Sequence, residues 1–95
     1  MRKFTVEVPH ALAPDEVKSR LERARAKLEE EYGATCTWEG DKVMRVHRKG
    51  LDGRVHLEAD KLRVDVELAL LLAPMGGKLR DGIAKRLGDL MQPKA

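Results

Sequence analysis

The residues of this chain with chemistry beyond simple charge are few. They are His10, His47 and His56, the single cysteine Cys36 and the single tryptophan Trp38. His47 and His56 fall in a stretch of alternating polar and apolar residues, so they can become neighbours across paired strands, with Asp65 beside His56. Two imidazoles and a carboxylate make a donor set that zinc accepts at about 2.0–2.2 Å. The spacing matches no metal motif and depends on strand register, so an exposed cross-strand His–Asp pair is the favoured reading. No metal and no other cofactor is expected. His10 follows Pro9 in a loop and is expected to face solvent.

Cys36 has no histidine at a catalytic spacing and no glycine-rich loop to form an oxyanion hole, so it reads as a buried core thiol. A lone cysteine also excludes an internal disulfide and a multi-cysteine zinc site. Trp38, beside a turn, reads as a core or rim residue. Gly76-Gly77-Lys78 lacks the GxxxxGK[ST] pattern of a phosphate loop, and its glycines read as a bend into a helix.

Lys18, Arg20, Arg23, Arg25 and Lys27 resemble a basic stripe. Glutamates four residues away (Glu16–Arg20, Lys18–Glu22, Arg25–Glu29, Lys27–Glu31) make it a solvated, internally paired helix face instead. With aromatics at 3% and a net charge of only +3, base stacking and phosphate tracking have little material. No nucleic acid partner is expected. No catalytic constellation emerges, and an enzyme is not expected.

The elements that position these residues follow from periodicity. Phe4, Val6 and Val8 alternate with Thr5 and Glu7, which predicts a strand with one buried face. Pro14 suits the first position of a helix, Asp15 and Glu16 suit its positive end, and Gly33 suits its stop. Val17, Leu21, Ala24, Leu28 and Tyr32 form that helix's apolar stripe. From Thr35 to Leu72 the chain reads as strands with turn signals at EGDK (39–42), GLDG (50–53) and ADKL (59–62).

A three-residue connection at the first turn would put Cys36, Trp38, Met44 and Val46 on the apolar face. The middle turn centres on either Leu51-Asp52 or Asp52-Gly53, placing His47 opposite His56 or Glu58. A last turn at Asp60-Lys61 would pair Glu58 with Arg63, His56 with Asp65 and Arg54 with Glu67. A second helix follows over 78–92 with Leu79, Ile83, Leu87, Leu90 and Met91 as its stripe, and Pro93 marks its end.

This order, β-α-β-β-β-β-α, predicts an α+β two-layer sandwich: an antiparallel sheet of four to five strands with two helices on one face. The whole chain, 1–95, reads as a single domain. At 95 residues it is short of core, which favours a homo-oligomer, a dimer above all. The start, MRKFTVEVPH, lacks the apolar core of a signal peptide. The longest apolar run, 68–75, is far short of the roughly 20 residues of a membrane span. No transmembrane segment and a cytoplasmic location are expected.

The helix ending EEEYG, the WEGD that follows, the GLDG turn and the VELALLLAPM-GG segment before the C-terminal helix carry a resemblance over nearly the whole chain. The chain resembles the small polyhydroxyalkanoic acid system proteins, bacterial proteins encoded near polyhydroxyalkanoate storage genes. These motifs are turns and core positions, so the resemblance implies no catalytic residue. It implies an accessory role at the storage granule, through contacts with its surface or its proteins. The element order is also similar to a reduced helix-grip fold, which implies the alternative of a small carrier of a hydrophobic ligand.

One stretch adds a local handle. LRVDVELALLLAPMGG (62–77) alternates apolar and charged residues, then loses its charges. As a continuing strand it would bury Leu68 and Leu70 and turn Ala69, Leu71 and Ala73 outward. Leu71, Leu72, Pro74 and Met75 are therefore the candidate apolar contact surface.

Overall fold

A computed structural model describes residues 2–92. Five strands and two helices follow in the order β1 (Arg2–Pro9), α1 (Pro14–Tyr32), β2 (Thr35–Glu39), β3 (Val43–Arg48), β4 (Leu51–Leu57), β5 (Lys61–Leu68) and α2 (Gly76–Leu90). A single 3₁₀ turn over Ala73–Met75 leads into α2. The strands form one antiparallel sheet in the spatial order β1-β5-β4-β3-β2, so β1 crosses over to pair with β5.

One face of the sheet carries Val6, Val8, Cys36, Met44, Val55, Leu62, Val64, Val66 and Leu68, all buried. Val17 and Leu21 of α1, together with Met91 beyond α2, close over them, with Leu28, Leu79, Ile83, Leu87 and Leu90 packed around. Both helices therefore cover the same face, as the α+β sandwich requires. They divide it: α2 lies against β1, and α1 lies against β2 at the opposite edge. Each fully buried leucine here contributes roughly 1.5–3 kcal/mol relative to exposure.

α1 begins with Pro14 at its first turn and ends at Gly33, whose left-handed φ of +65° turns the chain so that the Ala34 N–H reaches the Leu28 carbonyl at 3.4 Å. The helices are also joined by a buried cation. Arg20 is 8% exposed. Its Nη1 donates to the carbonyls of Leu90 at 2.8 Å and Gln92 at 2.6 Å, while its Nε donates to Glu16 at 2.8 Å. Arg20 thus satisfies carbonyls that the end of α2 leaves open. Its position three residues after Val17 places it beside the apolar stripe, a signal that the ion-pair reading of this helix passed over. Pro93, expected to end α2, lies outside the described residues.

The first hairpin has the expected three-residue connection: Glu39 pairs with Val43 and Trp38 with Met44. The other two turns differ from expectation. β3 and β4 turn at Lys49-Gly50, with Arg48 opposite Leu51 and His47 opposite Asp52. Gly50 sits at φ +85°, which a side chain disfavours, and this backbone demand decides the turn. Gly53, read as a turn residue, lies inside β4 opposite Val46.

β4 and β5 turn at Ala59-Asp60, which puts Leu57 opposite Leu62, His56 opposite Arg63 and Arg54 opposite Asp65. The register is shifted by two residues from the expected one. The predicted Glu58–Arg63 and Arg54–Glu67 pairings are not the directly opposed ones. The buried face is unaffected, because a two-residue shift keeps every side chain on its side.

β5 also ends sooner than expected, at Leu68. The chain then turns through Ala69–Leu72, held by Ala69 N–H to Gly50 O at 2.9 Å and Leu72 N–H to Ala69 O at 2.9 Å. Leu70, expected on the buried face, is 76% exposed.

Candidate functional site

Two regions compete as functional surfaces: the uncovered face of the sheet and the turn between β5 and α2. The uncovered face holds His47 and His56 among carboxylates and guanidiniums. Thr35–His47, Thr37–Arg45, Arg45–Arg54, His47–Asp52, Arg54–Asp65, His56–Arg63 and Thr5–Asp65 are cross-strand neighbours on it. An open hollow of about 490 Å³ crosses it, lined in part by Arg45, Asp52, Arg54, His56 and Asp65.

The groups around this hollow are spent on one another. Asp52 sits 2.7 Å from His47 Nδ1 and 3.8 Å from Arg45. The hydrogen bond from His47, with the charges of His47, Arg45 and Arg54 behind it, holds the Asp52 carboxyl below its ordinary range. Asp65 takes His56 Nε2 at 3.1 Å on one oxygen and the Thr5 hydroxyl at 2.9 Å on the other, with Arg63 at 3.7 Å. Arg54 donates to Glu39 at 3.1 Å. Lys61 binds Glu7, which raises the Lys61 pKa.

The His56–Asp65 contact expected from the sequence exists, reached diagonally rather than straight across. Thr5, Asp65 and His56 contain the residue types of a hydroxyl–imidazole–carboxylate relay in the wrong order. The hydroxyl donates to the carboxylate, and no hydrogen bond joins it to the imidazole that would have to take its proton. His47 and His56 belong to separate pairs. Among the described residues no group of three or more His, Cys, Asp or Glu side chains is placed to hold a metal ion.

The remaining candidates are structural. Cys36 is buried, and burial, with the charge of Glu29, pushes its thiol pKa up, away from the reactive thiolate. Trp38 donates its indole N–H to Glu22 and lies under the Lys18 ammonium at 4.9 Å, so it clips β2 to α1. His10 is half-buried rather than exposed, because its Nδ1 accepts the Leu12 N–H at 3.1 Å. Gly76 is already helical, at φ −54°, and makes no bend. Its missing side chain makes room for Arg2, whose guanidinium a Cβ would meet at 2.9 Å.

The turn between β5 and α2 is the opposite case. Leu71 is 87% exposed and Met75 49%, and Pro74 is exposed beside them. Leu72 is half-buried and packs against the core, touching the space over Gly50. Leu70 takes the place in the exposed set that the sequence suggested for Leu72. The signal was the loss of alternation after Leu68, which marks a turn as well as an outer face. Arg2 holds the turn in place by donating to Ala73 O at 3.2 Å. Single exposed leucines are ordinary; four exposed apolar residues within six positions are not.

Among the described residues no helix is long and apolar enough to cross a membrane. Comparison with curated proteins and with solved structures finds no match. Comparison with protein families does: the family described as "putative polyhydroxyalkanoic acid system protein" matches residues 4–91, from the first buried strand to the end of the second helix. The chain belongs to this polyhydroxyalkanoic acid system family.

Proposed function

We propose that this protein is a non-enzymatic accessory component of the polyhydroxyalkanoate system, working by surface contact with a granule or a granule protein. The observation that carries this reading is the exposed apolar turn of Leu70, Leu71, Pro74 and Met75 on an otherwise charged molecule. Whatever covers this turn gains about 1.5–3 kcal/mol for each leucine fully buried.

The small core of a 95-residue domain supports self-association, which light scattering at high micromolar concentration reads; a monomer throughout removes the dimer.

Co-sedimentation with isolated polyhydroxyalkanoate granules tests the function. Wild type pellets with granules, and Leu71→Asp and Met75→Asp, shown to be folded by circular dichroism, remain in solution. Failure of the wild type to pellet removes the reading.

A further inference from the structure

We infer that the β5–α2 turn docks on an anionic phospholipid surface, with its apolar residues in the acyl layer and a ring of cations at the headgroup phosphates. This rests on the contact reading above and names the chemistry of the partner. The sheet register supplies the argument. The last row of the sheet runs Arg48, Leu51, Leu68, Arg2 across four strands. At the same end lie the Lys49-Gly50 turn and the Ala69–Leu72 turn, tied together by the Ala69 N–H to Gly50 O bond, and, at the β2 edge, the end of α1. α2 starts at the same end, since Gly76 touches Arg2, and carries the exposed Lys78 in its first turn.

Arg2, Arg48, Lys49 and Lys78 therefore share this end of the molecule with Leu70, Leu71, Pro74 and Met75, and Glu67 and Asp52 stand one row further into the sheet. On the helical layer Asp81 of α2 is paired with Arg80 at 3.5 Å, and the Glu29–Glu31 run rides on α1 over β2, three strands from β5, or about 14 Å. Exposed apolar side chains with long cationic neighbours match an interface that is apolar inside and negative at its rim. Charge complementarity also separates this occupant from a second copy of the chain. A two-fold contact through the turn would set Arg48, Lys49 and Lys78 against their own copies. A bare apolar surface would leave these cations without a counter-charge.

Vesicle flotation with the full chain tests the inference, using phosphatidylcholine alone and phosphatidylcholine mixed with phosphatidylglycerol. The chain floats with the mixed vesicles, dissociates as salt is raised, and leaves neutral vesicles largely unbound. Lys49→Gln and Lys78→Gln each weaken partitioning about fivefold, and Leu71→Asp by more than about tenfold. If Leu71→Asp fails to fold, the two lysine variants decide alone.

Equal binding to both vesicle types, or to neither, overturns the inference. So does a dimer that Leu71→Asp dissolves, which would assign the turn to a second copy. Granules separate this inference from the reading beneath it. A chain that pellets with granules but ignores anionic vesicles keeps the contact reading and loses the lipid. A chain that binds anionic vesicles but ignores granules keeps the lipid and loses the granule.

Discussion

The uncovered face of the sheet and the turn between β5 and α2 divide the properties a functional surface usually combines. The sheet face has His47 and His56 among carboxylates and guanidiniums, and they are largely bonded to neighbours: His47 to Asp52, His56 and Thr5 to Asp65, Arg54 to Glu39, Lys61 to Glu7. The turn has no reactive group and leaves Leu70 and Leu71 largely in solvent. Reactive residue types are thus a poor guide to which groups are free to bind. A polar group already paired within the chain must give up that bond to gain another, so an exchange there yields little net free energy. An exposed leucine gives up only its contact with water.

The difference can be broken most forcefully from beneath both regions. Leu68 is 0% exposed and stands between Leu51 and Arg2 in the sheet's last row, at the root of the turn. Leu68→Ala lowers stability by about 2–5 kcal/mol in chemical denaturation, and it loosens the turn's anchorage together with the sheet. A variant as stable as wild type would show that the turn is not seated on this core.

The double variant Leu71→Asp/Met75→Asp separates binding from folding. It lowers granule association more than about tenfold while changing stability by no more than about 0.5 kcal/mol. The sheet face is expected to be the mirror image of this in sensitivity. His47→Ala and His56→Ala, read by denaturation and by granule association, each cost at most about 1 kcal/mol of stability and leave association unchanged.

The smallest effect is a pH dependence. The folded Asp52 carboxyl lies below its ordinary range, first because of the His47 hydrogen bond and then because of nearby positive charge. Its contribution to stability is therefore present above the ordinary carboxylate range and lost as pH falls through the lowered folded value. Asp52→Asn flattens part of the acid limb of the stability–pH curve; an unchanged limb would mean that the His47–Asp52 bond does not persist in solution.

How much of this was legible in the sequence depends on what each signal constrains. Alternation and helical stripes define faces, so the β-α-β-β-β-β-α order, the shared helical face and the burial of Cys36, Met44 and Leu21 could all be read. The three-residue connection after Glu39 could be read too, because the wrong parity would have put Trp38 among charges. Register is a finer matter. A shift of two residues preserves every face and still brings Asp65 to His56 on the diagonal, so charge pairing could not distinguish Ala59-Asp60 from Asp60-Lys61 as the turn.

The glycine at 50 was the better evidence for the middle turn, but Asp52 and Gly53 offered equally good turn chemistry two residues later. Leu70 was misplaced because an apolar run contains no mark of where a strand stops. Arg20 was passed over because an i,i+4 glutamate explained it locally, while its partners at Leu90 and Gln92 lie some seventy residues away.

The most direct measurement reports from both regions in one experiment. Single cysteines at Leu71→Cys on the turn and Thr37→Cys on the sheet face can carry an environment-sensitive fluorophore. Cys36, 3% exposed and with its thiol pKa raised by burial, stays unlabelled in the native protein. On adding polyhydroxyalkanoate granules, the account predicts a blue shift and loss of solvent quenching for the label at 71 and no change for the label at 37. A shift at 37 with none at 71 would place the contact on the sheet face and contradict it.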